Sequence, residues 1–177
     1  MHCEMNKEQP LINTFELWSL ELNNYDFEKL LLKPDAKSWS LGQLYMHLIE
    51  ETSWYLEQIE GCFDNSDNAL QEMNGDAKSM FFKNEFPDKI IKGDPFISEN
   101  VKQPTDKLTL QEDFNQLKLR VNHIWNKILN NSINNGKTKH PGLGYFSPRE
   151  WFQYAEMHMR HHLRQKNRID SFLKVTK

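Results

Sequence analysis

The sequence predicts an all-α fold, a four-helix bundle in which one long crossover joins the second and third helices. Three observations predict it. Apolar residues recur at helical spacing in four separate segments, three of which open on capping signals. No stretch alternates apolar with polar residues as half-buried strands do. A long interval rich in Asn, Asp, Gly and Pro separates the second segment from the third.

The first segment runs roughly from Leu11 to Lys33, carries Leu17, Leu20 and Leu30, and stops at Pro34, which cannot extend a helix. The second opens at SWSLGQLYMHL. Ser40 there can accept from a first-turn amide, Gln43 stands at the reciprocal capping position, and Leu41, Leu44, Tyr45, Leu48, Tyr55 and Ile59 mark one apolar face. From Gly61 to about Lys107 the pattern changes. Gly93-Asp94-Pro95 and Gln103-Pro104-Thr105 punctuate a connection with room for one short helix around Met80-Phe81-Phe82. Too little apolar material is present there for a second core, so the connection reads as a crossover between non-adjacent or parallel helices.

The third helix is expected to start at Thr109, boxed by Glu112, and to run through Phe114, Leu117, Val121, Ile124, Trp125 and Ile128, ending in Asn-rich sequence and Gly136. The fourth has the strongest start signal, Ser147-Pro148-Arg149-Glu150: a cap, a proline where its missing N–H costs nothing, and a boxing glutamate. It continues to about Leu173.

At 177 residues the chain suits a single domain spanning its whole length. Its 27% charged residues and mean hydropathy of −0.77 describe a protein in water, and 12% aromatics is too many for a disordered one. No apolar run is long enough to span a bilayer, and MHCEMNKEQP lacks the basic and apolar parts of an export signal. Cys3 and Cys62 form no motif. A cytoplasmic setting is the expectation. The net charge of −3 carries no basic block, which argues against nucleic acid as a partner. Arg160, Arg164, Lys166 and Arg168 read as a solvated helix face.

The fourth helix also contains the segment HMRHH. At ~100° per residue, Trp151, Ala155, Ile169 and Leu173 cluster within roughly 40° and define the inward face. His158 and His162 fall about 20° to either side of Trp151, Gln165 about 40° away, and His161 about 80° off, at the edge. Arg160 and Arg164 point outward. Two inward imidazoles one turn apart can serve one metal ion, or each can stay neutral and hydrogen-bonded in the core. A third ligand has to come from elsewhere. His2 lies in the N-terminal tail and His140 in the loop before the fourth helix. His47 flanks the core stripe of the second helix, together with Glu51, Trp54 and Gln58, and His123 is on the third. Periodicity does not choose between His47 and His123.

SWSLGQLYMHL resembles the stretch of DinB/YfiT-like proteins in which Trp-Ser opens the second helix and a His follows within two turns. HPGLGYFSPREWFQYAEMHMRHHLRQ resembles the last helix of that family, with His-x-x-x-His and a Gln three residues on, and its start is closest to the branch called DinB-like domain 2. Family members often carry small residues where Leu163 and Arg164 stand here. The resemblance implies a four-helix bundle holding a divalent cation, zinc or nickel before other first-row ions, on His47, His158 and His162. It also implies a homodimer and a small-molecule substrate. Relatives of this kind include thiol S-transferases that use low-molecular-weight thiols such as bacillithiol, and a mycothiol-dependent maleylpyruvate isomerase.

Thiol transfer is the preferred reading. A metal-dependent hydrolase, or a bundle that binds a metal or small ligand without catalysis, are the alternatives. Gln165 is a candidate for holding a ligand or an imidazole, and Glu51 for orienting an imidazole or moving a proton. The bland readings are a satisfied core amide and a solvated carboxylate. Trp54 and Tyr55 are candidates for a pocket wall, although aromatics at helical spacing usually belong to a core.

Overall fold

The computed structural model describes residues 10–64, 66–87, 100–131 and 136–175. His2, Cys3 and Gly93-Asp94-Pro95 lie outside them. Its elements, in chain order, are α1 (Pro10–Leu22), α2 (Phe27–Leu31), α3 (Leu41–Asp64), α4 (Gly75–Lys83), α5 (Lys107–Asn130), β1 (Thr138–His140), β2 (Gly144–Phe146) and α6 (Pro148–Val175). The four longest helices, α1, α3, α5 and α6, form the expected all-α bundle around one hydrophobic core. None of the described helices is long and apolar enough to cross a membrane.

Helix directions follow from which side chains meet. Trp18 Nε1 donates to the Met159 carbonyl at 3.3 Å and Tyr25 Oη to Asp170 at 2.6 Å, so α1 and α6 run parallel. Tyr45 packs on Phe114 and, farther along both helices, Arg120 donates to Glu60 at 2.7 Å, so α3 and α5 also run parallel. Along α3 and α6 the order reverses: His47 meets His162, Tyr55 meets Tyr154, and Cys62 reaches the Phe146 carbonyl. Parallel α3 and α5 cannot be joined by a short turn. This is why the chain needs its long crossover.

The second and fourth helices start where their sequences say. Gln43 N donates to Ser40 Oγ at 3.1 Å while Ser40 N donates to Gln43 Oε1 at 3.1 Å. Ser147 N donates to Glu150 Oε2 at 2.7 Å and Glu150 N to Ser147 Oγ at 3.4 Å. Four expectations need correction.

The helix read from Leu11 to Lys33 is broken. Asn24 N turns back onto Glu21 O at 3.0 Å, and Asp26 then caps the short α2 by accepting from Lys29 N at 2.9 Å. The buried face of α1 is Leu11, Phe15, Trp18 and Leu22, while Leu17 and Leu20 face outward. α5 begins two residues before Thr109, because the Asp106 carboxylate accepts from Thr109 N at 2.8 Å and takes the capping role. A two-stranded antiparallel ribbon is present, its three-residue strands too short to show alternation. Finally, Lys166 is buried rather than solvated, and Arg160 is only partly exposed. Arg160 forks onto the buried Glu156 at 2.8 Å, and Lys166, 4% exposed, pairs with Glu21 at 2.7 Å and Asp170 at 2.8 Å. Arg164 and Arg168 are exposed as expected.

The crossover is docked rather than loose. It leaves α3 at Asp64, later than the expected change at Gly61, and contains the short helix α4. The left-handed Asn84 closes α4, and its carbonyl and side chain accept from Arg160 at 2.7 Å and Gln153 at 2.9 Å on α6. Phe86 then packs under Tyr154. Where the chain returns, Gln43 donates to Val101 O at 2.6 Å and Ser40 to Gln103 at 2.7 Å, so the start of α3 holds the end of the crossover.

The ribbon ties the same parts together. Thr138 Oγ1 accepts from Trp151 Nε1 at 2.7 Å and donates to the Gln58 carbonyl at 3.1 Å, linking α6 to α3. Gly144 adopts φ +89°, and a Cβ there would stand 2.7 Å from Glu72 O and 2.9 Å from Asn74 N. Gly144→Ala therefore adds left-handed strain to a backbone collision. The expected loss is at least about 2 kcal/mol, read as a fall of roughly 4–8 °C in the thermal midpoint by circular dichroism.

Candidate metal centre

α3 and α6 bring three imidazoles together across their antiparallel seam. His47 stands two turns into α3. His158 and His162 occupy adjacent turns of α6 and lean back along it towards its N-terminus, as side chains on helices do. The Nε2 atom of His162 lies 3.1 Å from that of His47 and 3.1 Å from that of His158. One ligand atom from each of the three lies within 4.8 Å of the others. Nitrogens bound to one ion at ~2.0–2.1 Å stand about 3.3–3.4 Å apart at tetrahedral angles and about 2.9 Å apart at octahedral ones. The two 3.1 Å separations fall between those values, and the third pair lies within 4.8 Å.

Hydrogen bonding fixes the chemistry of the converging atoms. Gln165 Oε1 lies 3.0 Å from His162 Nδ1, and an amide oxygen can only accept, so His162 carries its proton on Nδ1. Its Nε2 lone pair is thereby directed at the other two rings. At His158 the Nδ1 atom is buried and has no hydrogen-bond partner among the described residues.

Charge is held off all three. Burial pushes His47 down to about 4. Burial, and then the neighbouring His47, push His162 down to about 3 against the opposing pull of Gln165. His158 lies well below the usual histidine range through burial and its histidine neighbours. Neutral imidazoles are the form that offers a lone pair to a metal.

The walls are aromatic. Trp39 packs on His47 at 4.8 Å between ring centres, Tyr55 stands edge-on to His158 at 5.4 Å, and Phe86 closes on His158 at 6.0 Å. Such walls exclude water and strengthen any electrostatic interaction inside them.

The chain belongs to the DinB superfamily. The model of that family matches residues 15–165, which takes in α3, the crossover and α6 up to Gln165. No curated protein and no solved structure matches the chain. The DinB-like assignment agrees with the helical fold and with the trio above.

The remaining candidates divide. His123 is exposed on α5, in a groove with Asn126, Lys127 and Asn130, and does not approach the trio. His161 is half-buried at the edge, its ring 5.5 Å from Phe86 and 5.4 Å from His162, outside the converging set. His140, in β1, accepts from Gly142 N on Nδ1 at 3.1 Å and meets Tyr154 Oη with Nε2 at 3.1 Å, within a cage of Trp54, Phe146 and Trp151. Gln165 touches an imidazole directly. Glu51 is half-buried and accepts from Tyr55 Oη at 2.9 Å. Leu163 packs against the core and Arg164 is exposed, so the bulky pair does not disturb the His162–Gln165 bond.

Two wall residues escaped the sequence. Phe86 lies in the aperiodic crossover, where no pattern assigns it a direction. Trp39 is visible only as the residue before the Ser40 cap.

His140 gives these depressed histidines a measurable consequence. Burial pushes it down to about 4, so between that pH and about 6.5 the unfolded chain binds its proton and the folded one does not. Stability is complete above about pH 6.5 and falls as pH drops towards about 4, by up to about 1.4 kcal/mol per unit for each such histidine. Urea midpoints of metal-free protein should fall over that interval. His140→Gln should flatten the slope without abolishing it.

Proposed function

We propose that His47, His158 and His162 bind one divalent first-row cation, zinc or nickel, and that the protein is a metal-dependent thiol S-transferase acting on a small electrophile with a low-molecular-weight thiol. One observation carries the reading. The Nε2 atoms of His47 and His158 each lie 3.1 Å from that of His162, whose lone pair is fixed outward by Gln165. With neutral rings, hydrogen bonds among the three can run only from His47 and His158 to the one lone pair of His162, which two donors then share. A further proton brings a charge that burial opposes. A shared cation satisfies all three lone pairs at once.

The donor set also argues for reactivity. A structural zinc site closes with four protein ligands, whereas only three side chains converge here among the described residues. Three neutral imidazoles leave the full charge of the ion uncompensated. The ion would supply Lewis acidity, lowering the pKa of a bound thiol towards neutrality. The protein supplies the rest. Gln165 holds the His162 tautomer, the α3–α6 seam sets the nitrogens at fixed spacing, and Trp39, Tyr55 and Phe86 keep bulk water from the reacting pair. The choice of a thiol over water follows the family resemblance, since DinB/YfiT-like proteins include thiol S-transferases.

Elemental analysis of protein purified without chelators should give about one equivalent of zinc or nickel per chain. His47→Ala and His162→Ala should lose it with their helical circular dichroism intact. Gln165→Leu should retain the fold and bind the ion about 10–100-fold more weakly in a chelator competition. The loaded wild type should conjugate glutathione, bacillithiol or mycothiol to chlorodinitrobenzene or monochlorobimane. Turnover of an ester or amide panel with no conjugation would replace the transferase reading by the hydrolase one. A stoichiometric ion with neither activity would leave a binding bundle.

A further inference from the structure

We propose that Glu51 is the proton acceptor of this centre: its carboxylate removes the S–H proton of the thiol that docks beside His47, His158 and His162. The inference rests on the thiol reading above and adds to it the group that handles the proton.

Placement is the first support. Glu51 lies one turn beyond His47 on α3, so the two positions share one face of the helix. Tyr55, one further turn on, donates its hydroxyl to Glu51 Oε2 at 2.9 Å while its ring stands edge-on to His158 at 5.4 Å. Glu51 is thus fastened, through one side chain, to the layer that holds the imidazoles. It stays outside the set of atoms able to share an ion, which comprises the three histidines. A carboxylate near a centre but not bound to it stands where a base acting on a docked molecule belongs.

The second support comes from comparing Glu51 with other buried and half-buried carboxylates that line α6 and α3. Glu156 is locked by a two-pronged contact with Arg160, and Glu21 and Asp170 are both held by Lys166. Glu51 is different. Among the described residues its hydrogen bond comes from a neutral hydroxyl to Oε2, with Oε1 unengaged. Burial raises its pKa above the ordinary carboxylate value, with Glu50 adding slightly and Tyr55 opposing. Other ionisable groups facing it are Tyr55 and Tyr154 from α6, and a neutral phenol cannot take a proton.

In the step itself the thiol S–H bond breaks, its electron pair stays on sulfur, and the proton forms an O–H bond at Glu51 Oε1. Nothing is oxidised or reduced. The thiolate then bonds to the electrophilic carbon, a leaving group such as chloride departs with its electron pair, and Glu51 returns its proton to water.

The test uses full-length protein loaded with cobalt(II) and mixed rapidly with 2-mercaptoethanol, following the thiolate-to-cobalt absorbance rather than turnover. In the wild type its rate of appearance should be nearly flat between about pH 6.5 and 8, because the base is internal. In Glu51→Gln it should be about 100-fold slower at the lower pH and should climb about tenfold per unit, following free thiolate. Tyr55→Phe, which leaves the carboxylate in place, should retain the flat profile whatever its rate. Equal rates in wild type and Glu51→Gln overturn the inference and leave the thiol reading standing. So does loss of cobalt from Glu51→Gln, which would make the carboxylate a holder of the ion. A Tyr55→Phe profile that climbs like that of Glu51→Gln also overturns it, reducing Glu51 to an anchor for Tyr55. No thiolate absorbance in the wild type overturns the thiol reading and this inference together.

Discussion

The antiparallel register of α3 against α6 is the constraint on which everything else depends. His47 and His162 are far apart in sequence, and their nitrogens meet at 3.1 Å only because Tyr55 packs on Tyr154 and Cys62 on the Phe146 carbonyl farther along the same seam. A slide of one helix by a single turn would carry His47 about 5.4 Å along the axis, beyond reach of any shared ion. The register is fixed at several points. Trp151, packed between Trp54 and Tyr55, bonds to Thr138, which in turn bonds to the backbone of α3. The ribbon is small, but it pins both helices at one end while the imidazoles meet nearer the other.

The crossover solves a problem that the seam creates. From Trp151 to Met159, α6 is buried on nearly every side, polar Glu156 included. Three neighbouring helices cannot cover a helix all round. Asn84 and Phe86 lie against the remaining face, and Arg160, which the periodicity sends to solvent, finds the Asn84 carbonyl there beside its own-helix partner Glu156. The same covering makes the environment of His158 dry, because Phe86 reaches both its ring and that of Tyr154. A segment that carries no helical pattern in the sequence thus sets the polarity of the site.

How much was legible follows from this division. Periodicity assigned the core faces of α3, α5 and α6, and capping chemistry placed the starts of α3 and α6, because both signals are local. The break in α1 was missed because the helical pattern of leucines carries on past it, while Asn23, Asn24 and Asp26 hold the chain locally in a turn and a new cap. The wheel put His158 and His162 inward and His161 at the edge, as they are. It left His47 and His123 undecided, since choosing between them requires knowing which helices adjoin, and that is a property of the crossover. Here the family resemblance supplied what periodicity lacked. Lys166 misled for a different reason: charged residues on a wheel read as solvent-facing, and only its two acidic neighbours from α1 and α6 make its burial tolerable.

Holding three neutral imidazoles, one buried and two half-buried, is a stability cost that the rest of the fold has to offset. Each is held in the form that costs a proton below neutrality, and His158 leaves one nitrogen without a hydrogen bond. Trp18, Tyr45 and Trp151 place their polar atoms on partners, whereas Ser19, Thr52 and Trp125 each leave a buried polar atom without one among the described residues. What sets the histidines apart is convergence: ring nitrogens from two helices meet at one place. Rigid helices also hold the nitrogens more narrowly than loops would, so the arrangement is prepared before anything binds, and a partner that satisfies it repays the folding cost as binding affinity.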